Sequence, residues 1–165
     1  MKNLLFVFSF CLLASLASNV FAENKPFQAS LTPEVAIHSK DTRIEGITLS
    51  IWGENSQAGL AFGLVNGSYG NSSGISLGFV NYAENYTGVE WGAVNYAKGD
   101  FVGFQYGFIN YAKKLKGLQL GFLNIANTAE SGLQIGIINI IEKNEWFEKF
   151  PNEFSKGMVL INWRF

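Results

Sequence analysis

His38 is the only histidine in the sequence, and Ser39, Lys40 and Asp41 follow it directly. Histidine, serine and aspartate are the residue types of a serine-nucleophile triad. A triad is a spatial arrangement, however, and adjacency in sequence does not supply it. His38 is therefore predicted to be a surface residue, and we predict no catalytic residue and no enzyme activity.

Metal, cofactor and nucleic-acid sites are not predicted either. Cys11 is the only cysteine, and the acidic residues Glu84, Asp100 and Glu130 are scattered in the manner of solvated turn residues. No glycine-rich stretch opens a predicted helix, as a phosphate-binding loop would. The 12 basic residues are balanced by 13 acidic ones, so the chain has no electrostatic footprint for nucleic acid.

One short phrase is written six times between Gly59 and Ile140. It consists of Gly, an apolar residue, a variable residue, an apolar residue, Gly, two apolar residues and Asn. Its copies begin at Gly59, Gly74, Gly88, Gly103, Gly117 and Gly132, so that a longer interval alternates with one that is shorter by a single position. The alternation indicates a larger unit of two phrases, which suggests a hairpin.

Apolar and polar residues alternate within each phrase. In the copy that begins at Gly74, the large residues Ile75, Leu77 and Phe79 share one parity, and Ser76 lies on the other. Period two is typical of a strand with one apolar face and one small or polar face. The regular recurrence of glycine within the phrases argues against a helix.

The segment 1–22 has the pattern of a secretory signal peptide. A basic start at Lys2 is followed by an apolar core and by small residues before Ala22. A membrane anchor is the alternative, but the apolar run is short. We predict a signal peptide at 1–22, an irregular lead-in segment at 23–45 and a β-repeat barrel domain at 46–165.

The end of the chain resembles the last strand of bacterial outer-membrane β-barrels. Val159, Ile161, Trp163 and the terminal Phe165 share one apolar parity. In outer-membrane barrels this strand is read by the barrel-assembly machinery. The resemblance implies that these four residues form a membrane-assembly signal, and that the partners are outer-membrane lipid and that machinery.

A strand from Gly46 to Trp52, the six phrases and the terminal strand make eight strands. Bacterial outer-membrane barrels have an even number of strands, with eight as the lower bound. The short polar connectors suit antiparallel hairpins, since parallel neighbours need crossovers of about a dozen residues or more. We therefore predict an all-β fold, an antiparallel meander closed as a small outer-membrane β-barrel.

In that barrel the apolar parity would face lipid and the polar parity would fill the interior. The expected interior polar residues are Glu90, Gln105, Gln119, Gln134 and Arg164. Glu90 and Arg164 are expected to share one polar network, because an unpaired buried charge is costly.

The long connector from Glu142 to Ser155 would then lie outside the cell. Its aromatic residues Trp146, Phe147 and Phe150 are mixed with charges, as at a membrane-water boundary. An ordinary, partly packed loop is the alternative.

The asparagines that end the phrases do not fit the barrel simply, and an alternative architecture also explains them. On strict alternation they point outward, which is unfavourable in hydrocarbon unless a bulge turns them inward. A β-solenoid in which stacked repeats form an asparagine ladder explains them, and a periplasmic repeat sheet is a further alternative. These residues are Asn66, Asn81, Asn95, Asn110, Asn124 and Asn139.

The repeat array resembles bacterial surface-repeat proteins built from tandem Gly-Leu-Gln-Leu-Gly-Leu-Val-Asn phrases. The copies at Gly117 and Gly132 match best, and Leu31–Val35 and Gly46–Ser50 are also similar to segments of that family. The chain departs from the family at 152–156. The resemblance implies a surface location and a repeat fold but no particular activity.

The expected function is that of a small structural or surface outer-membrane protein rather than a general diffusion porin. The alternative is a secreted or periplasmic β-repeat module for binding or adhesion. A lipid-modifying enzyme is a third hypothesis, which needs a nucleophile and a base at one rim. His38 lies outside the predicted strands and has no partner in the sequence pattern.

Overall fold

A computed structural model describes residues 24–144 and 152–165. Among these residues, the strands form one seven-stranded sheet in the order β2-β1-β3-β4-β5-β6-β7. The elements are β1 (Lys25–Thr32), β2 (Val35–Ala36), β3 (Ile44–Glu54), β4 (Gln57–Leu77), β5 (Val80–Trp91), β6 (Val94–Ile141), α1 (Asn152–Lys156) and β7 (Gly157–Arg164). No helix in these ranges is long and apolar enough to cross a membrane.

Neighbouring repeats pair in parallel, so the chain is a β-solenoid and not a closed barrel. β3 pairs with β4, β4 with β5 and β5 with β6, all in parallel. The phrases lie in register, with Gly46 opposite Gly59, Gly74 opposite Gly88, and Gly88 opposite Gly103. The prediction of an antiparallel meander closed as an eight-stranded barrel is wrong.

Parallel pairing needs no separate crossover segment in this chain, because each coil returns the backbone to the start of the next parallel strand. The argument against parallel pairing is therefore wrong. Val65 pairs with Val80 across the longer interval, and Gly74 pairs with Gly88 across the shorter one. Either interval therefore makes one complete coil rather than half of a hairpin. The connector absorbs the extra residue, since the β4–β5 register shifts between Ser68 and Asn71.

In the first five phrases, from Gly59 to Gly117, the first glycine stacks directly on its counterpart in the preceding coil. Gly88 and Gly103 have φ values of 139° and 134°, a region that L side chains rarely adopt. A Cβ at Gly103 would also collide with the carbonyl oxygen of Gly88. The glycine is thus required for both backbone conformation and close stacking.

Antiparallel strands close both ends of the parallel stack. β7 pairs with the end of β6, with Ile135 opposite Ile161 and Gly132 opposite Arg164. At the other end β2 pairs with β1, which itself pairs in parallel with β3. The segment predicted as an irregular lead-in therefore contains two strands of the sheet. Such terminal strands limit pairing of the open ends with other chains.

The interior is narrow and only partly apolar. Its hydrophobic cluster is Ala83, Tyr86, Ala97, Phe101, Ala112, Leu115, Ala126, Ala129 and Ile141. Buried amide side chains fill the rest of each coil. The larger apolar residues of the phrases lie on the outer surface, which is therefore the candidate functional surface.

Candidate binding surface

The outward residues of the phrases, together with those of β3, form one apolar surface that we name the phrase face. Its most exposed members include Phe79, Leu64 and Phe62, with exposed fractions of 66%, 60% and 59%. The phrase face comprises Ile47, Leu49, Ile51, Leu60, Phe62, Leu64, Ile75, Leu77, Phe79, Val89, Trp91, Ala93, Phe104, Tyr106, Phe108, Leu118, Leu120, Phe122, Leu133, Ile135 and Ile137. None of these positions carries a charged residue.

Stacking of the coils places equivalent aromatic side chains against one another. The rings of Phe108 and Phe122 are stacked with centroids 4.8 Å apart. Trp91 and Tyr106 meet edge to face with centroids 5.1 Å apart. These contacts hold the side chains of the phrase face in ordered rows along the solenoid axis.

A groove runs between two of these rows. Its main part has a volume of about 900 Å³, and a smaller hollow of about 390 Å³ shares Gly78 and Trp91 with it. The first wall is Phe62, Leu77, Trp91, Tyr106, Leu120 and Ile135. The second wall is Phe79, Ala93, Phe108, Phe122 and Ile137. The floor, which we name the glycine row, is Gly63, Gly78, Gly92, Gly107, Gly121 and Gly136.

The groove exists because no side chain fits at the glycine row. A Cβ at Gly92 would lie 2.7 Å from the Asn81 Nδ2, and one at Gly121 would lie 2.6 Å from the Asn110 Nδ2. Backbone carbonyls of the preceding coil approach equally closely. The chain therefore dips inward between two outward side chains in every coil.

The phrase asparagines form a buried ladder beneath this floor. The Asn81 Nδ2 donates to the Asn95 Oδ1, and the Asn95 Nδ2 to the Asn110 Oδ1, each at 2.8 Å. The ladder continues at both ends through Asn66, Asn124 and Asn139. Asn81 and Asn95 follow bends at Gly78–Phe79 and Gly92–Ala93, which break strict alternation and turn these two side chains inward. The other four phrase asparagines are buried in the same way. A ladder of this kind was part of the solenoid alternative.

Four of the predicted interior polar residues form a second buried ladder. The Gln105 Nε2 donates to the Glu90 Oε2 at 2.7 Å, and the Gln119 Nε2 to the Gln105 Oε1 at 2.7 Å. The Gln134 Nε2 then donates to the Gln119 Oε1 at 2.8 Å. Burial raises the pKa of the Glu90 carboxyl to about 7, and the hydrogen bond from Gln105 partly opposes this rise.

Arg164 does not join Glu90. Its Nη1 donates to the backbone carbonyl of Lys143 at 2.8 Å, near the C-terminal end of the solenoid. The expectation that Glu90 and Arg164 share one network is wrong, because that pairing assumed that strands far apart in sequence would close into a ring.

The other predicted site residues lie apart from the groove or outside the described ranges. Val159, Ile161 and Phe165 are exposed, while Trp163 is half-buried beside Leu133 of the last coil. The external-loop aromatics Trp146, Phe147 and Phe150 lie outside the residues that the structure describes.

His38 lies at the N-terminal end of the stack, where its backbone exchanges hydrogen bonds with the Gln28 side chain. Within 24–144 and 152–165, no group of three or more His, Cys, Asp or Glu side chains could hold a metal ion.

Sequence reasoning placed the apolar parity outside but did not identify the groove. The available signal was the second glycine of each phrase, which always stands between two outward apolar residues. In comparisons with protein-family models, curated proteins and solved structures, nothing matches this chain.

Proposed function

We propose that the protein is an exported, non-catalytic β-solenoid module that binds a lipid surface through its phrase face. The observation that supports this proposal is that the phrase face is continuous and carries no charged residue, with its side chains ordered in rows. The all-β repeat fold is that of a stacked module, and a stacked module presents an extended surface rather than a closed cavity.

The phrase face is as large as the largest apolar patches that soluble monomers expose. Seven stacked segments about 4.8 Å apart, each presenting about 20 Å of strand, give an apolar area of roughly 600 Å². The largest patch on a typical monomer is about 300–600 Å² and is often functional. A surface at or above this limit is expected to be covered by an apolar partner.

The charged residues are separated from the phrase face. Exposed charges lie on the connectors, among them Glu84, Lys98, Asp100, Lys113 and Glu130. The phrase face can therefore meet hydrocarbon without burying an ion, which would be costly. A body with one apolar side and one charged side is suited to lie at a membrane interface.

The compartment follows from the predicted signal peptide at 1–22. We propose that the chain is exported and lies at the outer membrane. The resemblance to bacterial surface-repeat proteins supports the same location. Both the signal peptide and the family remain predictions.

The proposal is tested by sedimentation of the purified chain with vesicles of phosphatidylethanolamine and phosphatidylglycerol. The wild type is expected to pellet with the vesicles. The double variant Phe79→Ser, Phe108→Ser removes two exposed rings and should lower the vesicle affinity at least about tenfold. Val102→Ser is the matched control, because Val102 is an exposed apolar residue on a connector, with 38% of its surface accessible.

Equal pelleting of the double variant and the wild type would show that the phrase face is not the lipid-binding surface. A wild type that stays in the supernatant and elutes as a dimer would overturn lipid binding. In that case a second copy covers the face.

A further inference from the structure

We propose that the groove over the glycine row binds one long, unbranched acyl chain, that of a free fatty acid, along the solenoid axis. This inference rests on the proposed function, since both place an apolar ligand on the phrase face. It goes further because it assigns one ligand chemistry to one groove.

The dimensions of the groove select a single extended chain. The glycine row has one member in each of six successive coils, from Gly63 to Gly136. With coils about 4.8 Å apart, the floor is about 24 Å long. The two walls stand two residues apart along each strand, about 7 Å. A long polymethylene chain matches this length, whereas rings and branched chains are too wide for the floor.

The groove is electrostatically matched to an uncharged chain. Tyr106 is the one ionisable residue among those that line the walls and floor. Every other lining residue is aliphatic, aromatic or glycine. The amides below the floor are already bonded within the asparagine ladder. The groove therefore offers contact with methylene groups and no counter-ion for a headgroup, which must lie beyond an end.

Leu160 distinguishes the two ends. It lines the groove beside Gly136 and Ile137, at the C-terminal end of the floor. Among the described residues, Leu160 is the one non-glycine residue with a positive φ, which is 73°. This conformation occurs where the β6–β7 register shifts between Gly136 and Asn139. A strained backbone at the end of an apolar groove points to a functional stop, against which the methyl end of the chain would rest.

Ala93 supplies the matched test. It is the alanine in a wall otherwise made of Phe79, Phe108, Phe122 and Ile137, and its side chain points outward. Ala93→Asp would place a charge in the middle of the groove, where a methylene chain cannot solvate it. Val89→Asp is the control, because it places the same charge on the phrase face of the same coil but outside the groove lining. We therefore expect Ala93→Asp to lose the acyl chain and Val89→Asp to keep it, while the two variants bind vesicles equally.

The experiment titrates the purified chain with dibromostearic acid below its critical micelle concentration and follows tryptophan fluorescence. Bromine should quench Trp91, which lies in the first wall, and Trp91→Phe should remove most of the quenching. Ala93→Asp should weaken binding at least about tenfold relative to Val89→Asp. In competition with unlabelled fatty acids, affinity should rise roughly two- to fourfold per methylene until the chain exceeds the floor length. Fatty alcohols of equal length should bind within about threefold of the acids.

Quenching that persists in Trp91→Phe, or an affinity that does not change with chain length, would overturn the groove assignment. So would equal fatty-acid affinities of Ala93→Asp and Val89→Asp, both folded by circular dichroism. If Ala93→Asp does not fold, the Trp91→Phe and chain-length results decide the question. Vesicle sedimentation of the same proteins separates the two proposals. Vesicle binding without fatty-acid binding rejects only the groove ligand, and the absence of vesicle binding rejects the proposed function.

Discussion

Glu90 is the acidic member of the buried side-chain ladder that Gln105, Gln119 and Gln134 continue. Its carboxyl takes the place that a glutamine amide holds in the next coils. An amide would accept the same hydrogen bond from Gln105 without a charge to desolvate. The residue therefore makes the stability of the fold depend on pH.

Burial raises the pKa of Glu90 from 4.5 to about 7 in the folded chain. The unfolded chain loses this proton near pH 4.5, so stability falls as pH rises from about 4.5 to about 7 and stays low above it. Burial also raises the pKa of the neighbouring Tyr86, which stays neutral in this range. Glu90→Gln should remove the fall, worth about 3 kcal/mol across the window.

Urea unfolding of the wild type and Glu90→Gln between pH 4 and pH 8 checks this prediction. The same change at an exposed carboxylate, Glu84→Gln, should leave the pH dependence as it is in the wild type. Parallel stability curves for the wild type and Glu90→Gln would show that the Glu90 carboxyl does not couple folding to pH.

At the scale of the elements, the stacked first glycines from Gly59 to Gly117 set the distance between coils. Gly103→Ala places a Cβ against the Gly88 carbonyl and keeps a positive φ that alanine adopts at a cost. We expect a loss of at least about 2 kcal/mol of unfolding free energy. Chemical denaturation measures it.

Gly157→Ala is the matched control, because a Cβ there meets nothing within 4 Å. Its effect should be about 0.5 kcal/mol or less. Equal effects of the two substitutions would mean that stacking at Gly103 is not tight.

Much of this element-level order was predictable. The alternation in Gly74–Phe79 correctly indicates a strand with its apolar parity outside, and the phrase repeat correctly indicates a regular array. The antiparallel pairing was predicted wrongly, because the short connectors were interpreted as hairpin turns, whereas each phrase with its connector makes one complete coil. The groove was missed for a related reason: a glycine between two apolar residues becomes a floor only when coils stack in register.

At the scale of the whole molecule, the ends of the solenoid control assembly. Deletion of 157–165 removes β7 and exposes the hydrogen-bonding edge of the last coil, including Gly132 to Ile140. We expect the shortened chain to associate end to end, since unpaired strand edges pair with other chains. Sedimentation velocity should show species larger than the wild-type protein.

Deletion of Phe165 alone is the control. The last ladder pair joins Arg164 to Gly132, and Phe165 is 84% exposed, so the end strand remains in place. A chain without 157–165 that sediments like the wild type would show that β7 does not protect the edge.

The sequence by itself determined the repeat, its alternating period, the strand type and the division into an apolar and a polar parity. These properties depend on the local alternation of apolar and polar residues and on the frequency of glycine. Any chain with the same local pattern would have them. Tertiary structure decided between the barrel and the stacked solenoid, and with it whether the asparagines turn inward. It alone formed the groove over the glycine row. Each of these depends on which residues lie one coil apart, and that is set by the collective packing and hydrogen bonding of whole coils.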